Sequence, residues 1–264
     1  MMEETNIGIM GVTNMGFIGG TLGYHLLRRI SADGETGYCD GSAYNGVSKV
    51  ETLLGESIWE ETKDKVVIDF GCGDGEDAVD IARRSARKVI GVDILEHSLA
   101  RARQRATEYG VTGNCTFATR TDERADVILS LDAFEHFDDP AEILRIMRRL
   151  LKDNGCVLAA FGPTWYHPLG GHLFSPFPWA HLIFSERSLI RWRSDFKTDG
   201  ATRFCEAEGG LNQMTIRRFE SIVAESDFEL AAFETVPIRQ LKPIANRLTR
   251  EFTTAIVRCK LIPR

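Results

Sequence analysis

Asp69-Phe70-Gly71-Cys72-Gly73-Asp74-Gly75 closes the apolar run VVIDF and opens the segment GEDAVDIARRSA. Glycines in such a turn permit positive φ and let a ligand approach the backbone with no Cβ in the way. A turn that cradles phosphate uses lysine or bare backbone amides, whereas here Asp69, Asp74, Glu76 and Asp77 crowd it. That acidity argues against a pyrophosphate and for a ligand with positive charge, such as a sulfonium bearing an α-amino group. Asp69, at the strand end, is placed to accept from a cationic amine or to order a water. The next apolar run, KVIGVDI, ends in Asp93, about 20 residues beyond the glycines, where an acid accepts from both hydroxyls of a ribose. A lone glycine turn is weak evidence; turn and acid in this order form a specific nucleoside-site signature. The plain alternative is a tight turn whose acids favour a helix N-terminus.

Histidines supply the candidate proton acceptors. His136, in DAFEHF, follows a predicted strand and faces the rim of the same edge; its bland reading is a helix-start residue packed between Phe134 and Phe137. His167, His172 and His181 fall in WYHPLGGHLFSPFPWAH, where the Pro-Leu-Gly-Gly turn can bring His167 and His172 together. Three readings stay open for them: a general base near neutral pKa, metal ligands, or hydrogen-bonded residues of an aromatic core. Loop histidines without a carboxylate cluster are poor support for a metal, and no metal is expected. Trp165, Tyr166, Phe174, Phe177, Trp179 and Phe184 can wall a ring-shaped ligand or simply pack on each other. Arg187, Arg191, Arg193 and Lys197 can clamp an acid or form a solvated face, and Asn212 and Gln213 can hydrogen-bond a polar acceptor.

These residues need a frame. VVIDF, KVIGVDI, NCTFAT, ADVILSLDAF and CVLAAFG alternate with helical segments, and short apolar runs without polar alternation are central parallel strands covered on both faces. Right-handed crossovers put all their C-terminal ends on one edge, where ligands bind. Residues 47–61 predict one helix, AEILRIMRRLLKDNG another closed by Gly155, and residues 246–251 a basic helix. FELAAFETVP and TTAIVRCKL read as late strands. The rhythm stops between, over 163–213, and a segment that long inside a compact domain is often a lid. GVTNMGFIGG near the N-terminus lacks a second strand with its acid, since SADGETGYCDGSAYN is turn chemistry; it reads as a flexible lead-in or flap. The expected organisation is a lead-in (1–45), a cofactor core (46–162), a cap (163–214) and a C-terminal part of the sheet (215–264).

The chain has 264 residues, a net charge of −6 and six cysteines without a CxxC pair. The acidity disfavours a nucleic-acid backbone partner, and unpaired cysteines suit a reducing cytoplasm. The uncharged stretch 5–27 is too rich in glycine and polar residues to span a membrane.

VVIDFGCGDG, GVDI, DVILSLDAFEHFDDP and LLKDNGCVLAAFGP resemble the successive motifs of class I S-adenosylmethionine-dependent methyltransferases, over about 65–162, and YNGVSKVETLLGESIWEETKDK resembles the helix that precedes the first strand there. The resemblance implies an α/β fold: a doubly wound, mostly parallel, seven-stranded Rossmann-like sheet whose last strand is antiparallel, with a cap inserted after the fifth strand. It implies S-adenosyl-L-methionine as cofactor, held at the methionine end by Asp69, Gly71, Cys72 and Gly73. Asp93 would take the ribose, Ile94 the adenine face, Thr121 or Asp122 the adenine amine, with Ser130 and Leu131 lining the site. The expected reaction is in-line methyl transfer to a small molecule, preferably to oxygen, with His136, His167 or His172 as base. Transfer to nitrogen or carbon, and a non-catalytic cofactor-binding subunit, are the alternatives.

Overall fold

The computed structural model describes residues 16–34, 46–207 and 209–264. Seven strands form one sheet: β1 (Val66–Phe70), β2 (Lys88–Val92), β3 (Cys115–Ala118), β4 (Ala125–Leu131), β5 (Leu151–Phe161), β6 (Phe228–Pro237) and β7 (Thr254–Pro263). Their order is β3-β2-β1-β4-β5-β7-β6. The first five strands pair in parallel, and β7 runs antiparallel to both β5 and β6. Every residue of β1 is buried, because helices cover both faces: Val67, Leu129 and Leu158 pack in one layer, Ile68, Ile128 and Val157 in the other. The alternating assignment of neighbouring residues to opposite layers is the pleat itself.

Three predicted elements are shaped differently. The helix expected over 47–61 is two, Lys49–Leu54 and Ile58–Thr62, parted at Gly55 with φ +82°. The helix Pro140–Leu150, capped by Asp139 on the Glu142 amide, stops before Lys152-Asp153-Asn154-Gly155. Those residues belong to β5, where the register jumps from Ala125↔Leu151 to Val127↔Cys156 and the extra residues bulge into solvent. The basic helix expected at 246–251 is replaced by a turn: the Asn246 side chain accepts from Leu248 and Thr249 amides, the local competition by which Asn ends helices. Only Arg250–Thr253 is helical.

The cap has its own core of Trp165, Phe174, Phe184, Leu189, Trp192 and Phe204. Part of the expected lead-in belongs to it. The helix Gly20–Ile30 buries Leu27 in that core, Trp192 Nε1 donates to the Ser31 carbonyl at 2.9 Å, and Ile18 bridges to Phe184. Residues 16–34 are thus packed cap structure; the flap reading of 1–15 and 35–45 lies outside the described residues.

Gly75 carries the turn into the helix Glu76–Arg84 at φ +75°, and a Cβ there would sit 2.6 Å from Ala102 Cβ. Gly75→Ala is expected to cost about 2–3 kcal/mol, from overpacking and the left-handed backbone together, measured by urea unfolding; an unchanged midpoint would contradict this packing.

Candidate cofactor and acceptor site

The glycine turn is built by backbone hydrogen bonds. Gly71 and Cys72 amides donate to the Val92 carbonyl at 2.8 and 3.1 Å, and Gly73 N donates to Asp93 Oδ2 at 2.9 Å. Asp93 Oδ1 takes the Leu95 amide at 2.9 Å. Gly71 (φ +84°) leaves no room for a Cβ against Ala133, whereas nothing lies within 4 Å of a Cβ built on Gly73. Gly73 therefore marks the open side of the turn. The Cys72 thiol points inward, beside Gly91, so Cys72 shapes the turn rather than its open side. Ile94, next to Asp93, is 87% exposed, an apolar side chain standing at the rim. Thr121 Oγ1 accepts the Glu123 amide at 3.1 Å and Asp122 is exposed; both lie on the loop between β3 and β4. Ser130 and Leu131 are buried at the end of β4.

Unsatisfied polar atoms gather at this edge. Asp69 Oδ2, Ser130 Oγ, Asp132 Oδ1, Glu135 Oε2 and Thr164 Oγ1 are buried without a hydrogen-bond partner among the described residues. They belong to the C-terminal ends of β1 and β4 and to the turn after β5. Buried polar groups are nearly always paired, so a cluster of orphans is the mark of a site that expects a polar ligand. Burial, then Asp77, pushes the Asp69 carboxyl up to about 8; burial, then Asp132, does the same to Glu135, up to about 8. Lys49 answers this charge. It pairs with Asp77 at 3.4 Å and Asp132 at 3.0 Å, and although burial opposes its ammonium, those two acids hold its pKa above the usual lysine range. Lys49 was not among the residues picked from the sequence, and neither was Glu135, whose Oε1 accepts the Gly162 amide at 3.1 Å. No sequence signal marks Lys49, which starts the first of the two helices ahead of β1.

The histidines separate by their hydrogen bonds. His136 Nδ1 lies 2.7 Å from the Gly210 carbonyl, which can only accept, so Nδ1 carries a proton and Nε2 is the nitrogen that holds the lone pair in the neutral ring. His167 spends its Nδ1 lone pair on the Leu169 amide at 2.9 Å, leaving only an N–H to offer. His181 is satisfied on both sides, by the Gly171 amide and the Trp165 carbonyl. His172 is buried with Nδ1 unpartnered among the described residues, and its ring meets His136 edge-on at 5.3 Å between centroids. Burial lowers His167 to about 4, His172 to about 3 and His181 to about 4. His136 and His172 are thus brought together; His167 turns to its own loop. Among the described residues no histidine, cysteine, aspartate or glutamate group is arranged to hold a metal ion.

Other polar residues of the cap are structural. Asn212 Nδ2 donates to the Phe134 and Phe137 carbonyls, and its amide to the Glu135 carbonyl, stapling the return of the cap to the loop that carries His136. Arg193 is buried against the Leu173 carbonyl and Asp199, Arg191 stacks on Tyr24, and Arg187 and Lys197 are exposed. The four cations form no common clamp.

These shifts oppose each other in pH. The three histidines have folded pKa values below the unfolded ~6.5, so their stabilisation is present above that pH and is lost as pH falls toward 4. Asp69 and Glu135 are raised, so the stability linked to their protonation is full below the unfolded carboxyl pKa of ~4 and is lost as pH rises from there through 8. The unliganded protein should be most stable near about pH 6, losing on the order of 2 kcal/mol within two pH units on either side. A melting temperature that climbs steadily from pH 5 to 8 would contradict this balance.

Residues 61–161 match a family model described as a methyltransferase domain. The chain carries a methyltransferase domain. A ubiquinone biosynthesis O-methyltransferase of Neisseria meningitidis is 37% identical over 100 residues, 35% of this chain and 42% of that protein, so the chain spans about two fifths of the length of the curated relatives it matches. Among solved structures, magnesium protoporphyrin IX methyltransferase from Synechocystis PCC 6803 with bound SAH superposes with a TM-score of 0.53, 18% identity and coverage of 92% of this chain and 95% of the other. The cyclase SpnF gives 0.55 at 15% identity, covering 87% and 86%. The seven-stranded sheet, whose β6 and β7 lie beyond residues 61–161, has the fold of these structures, antiparallel last strand included, and the cap with its N-terminal helix is built onto it.

Proposed function

We propose that this protein is an S-adenosylmethionine-dependent methyltransferase that methylates a small organic acceptor, with oxygen as the preferred atom and His136 as general base. The observation that carries the reading is the row of orphaned buried oxygens beside an open, acid-flanked glycine turn. It suits a ligand with both cationic and hydrogen-bonding groups. In this assignment Asp93 accepts from the ribose hydroxyls and Ile94 covers the adenine, with Thr121 or Asp122 at its amine. Gly71, Gly73 and Asp69 receive the amino end, Lys49 the carboxylate, and Ser130 and Leu131 complete the wall. When bound, the cofactor supplies a methyl group on a positively charged sulfur. His136 Nε2 would take the acceptor's proton, and the site would hold the acceptor oxygen in line with the methyl group the cofactor would supply; orientation supplies much of the acceleration in such a transfer. His172, neutral and buried, holds the His136 ring in place.

The domain match and the O-methyltransferase relatives support this chemistry for residues 61–161. The net charge of −6 supports a metabolite rather than a nucleic acid as partner, and the six cysteines without a CxxC pair suit a reducing cytoplasm. Among the described residues no helix is long and apolar enough to cross a membrane. The surplus of Asp69, Asp77, Asp132 and Glu135 over Lys49 favours one second reading, transfer to a basic nitrogen. Titration calorimetry with S-adenosylmethionine and S-adenosylhomocysteine tests the common core: saturable one-site binding of both is expected, and no binding would overturn the proposal.

A further inference from the structure

The segment between β6 and β7, residues 238–253, lies at the same edge as the site, because β7 starts beside the end of β5. The Ala255 carbonyl fills the space a Cβ on Gly162 would need, 2.3 Å away. This segment is unlike the rest of the surface. Ile244 and Leu248 are 58% and 93% exposed, and Phe252 is half exposed. Leu248 is held out by a braced turn: its amide donates to Asn246 Oδ1 at 2.8 Å, and Thr249 Oγ1 donates to the Ile244 carbonyl at 2.7 Å. Interleaved with the apolar residues are Arg239, Lys242 and Arg247, all exposed. The acid of the segment, Glu251, is committed to the Ile216 and Arg217 amides, and Arg250 is paired with Glu220.

The apolar surface continues onto the cap. Phe252 meets Tyr166 at 5.0 Å between ring centroids, and the Tyr166 carbonyl accepts Trp179 Nε1 at 3.0 Å. Phe177, two residues before Trp179, is again exposed. Apolar tips among lysine and arginine, on a chain whose net charge is −6, complement one kind of surface: acyl chains beneath anionic headgroups.

We propose that the β6–β7 tip and the adjoining cap rim are a docking face for an anionic membrane surface. Leu248 and Ile244 enter the interface while Arg239, Lys242 and Arg247 meet the headgroups. Docked on this face, the protein turns the edge formed by the end of β5 and the start of β7 toward the bilayer. Docking itself is independent of the methyl-transfer reading.

Co-sedimentation with vesicles of phosphatidylcholine, alone or mixed with phosphatidylglycerol, tests this at low salt. Three basic side chains contributing about fivefold each predict binding to the mixed vesicles on the order of a hundredfold tighter, weakening as salt screens it. Leu248→Asp and the double variant Lys242→Glu/Arg247→Glu should lose this binding with melting temperature and cofactor affinity unchanged, and Leu248→Trp should strengthen it. Absence of vesicle binding, no preference for the anionic lipid, or unaffected variants would overturn the proposal. So would a concentration-dependent dimer that Leu248→Asp abolishes while wild-type protein ignores vesicles, since the face would then belong to a second copy.

Discussion

His136→Ala should lower kcat by roughly two to four orders of magnitude, the usual contribution of a positioned general base, while cofactor affinity stays within about twofold. The basis is one hydrogen bond: Gly210's carbonyl fixes the proton on Nδ1 and leaves Nε2 as the acceptor. His167→Ala should change kcat only a few-fold, because its one lone pair is already taken by the Leu169 amide. A loop-packing role for His136 predicts something else, namely a lower melting temperature and a raised KM with kcat retained. The pH profile separates the two, since a base gives an acid-side fall in kcat that disappears in His136→Ala. Full turnover in that variant with a phenolic or alcoholic acceptor would exclude the base, and retained turnover with an amine acceptor alone would favour transfer to nitrogen.

What could be read in advance was whatever local pattern dictates. β1 and β2 are apolar on both faces and so appear as unbroken runs, and the acid at the end of β2 stands at a separation set by the turn and helix between them. Lys49 could not be read this way. Its meaning comes from Asp77 and Asp132, which reach it only after the sheet forms. Glu135 likewise looks like a spacer until Gly162, brought alongside by β5, donates to it. The helix Gly20–Ile30 did not announce its partner, because the surface it covers, the cap helix Glu186–Arg193 with Trp192, is distant in sequence and assembles only in the fold. The histidines were visible as residue types. Their roles were not, because tautomer and lone-pair supply depend on carbonyls and amides such as Gly210 and Leu169.

Asp93→Ala should weaken S-adenosylmethionine binding on the order of a hundredfold or more. Two effects add. A carboxylate accepting from hydroxyls forms charge-assisted bonds, worth about 1.5–3 kcal/mol each. The same carboxylate also accepts the Gly73 and Leu95 amides, so its removal loosens the open side of the glycine turn. Asp93→Asn divides these contributions. Its amide oxygen still serves one backbone donor, so melting temperature should stay close to wild type, yet the charge is gone and affinity should fall by about tenfold or more. Ile94→Ala, which removes only apolar cover, should cost less than either. If Asp93→Asn binds as tightly as wild type while Asp93→Ala merely destabilises, Asp93 is a brace for the turn and the nucleoside lies elsewhere. If both lose affinity in the predicted order, the acid at the end of β2 holds the ribose, and the turn beside it owes its shape to the same side chain.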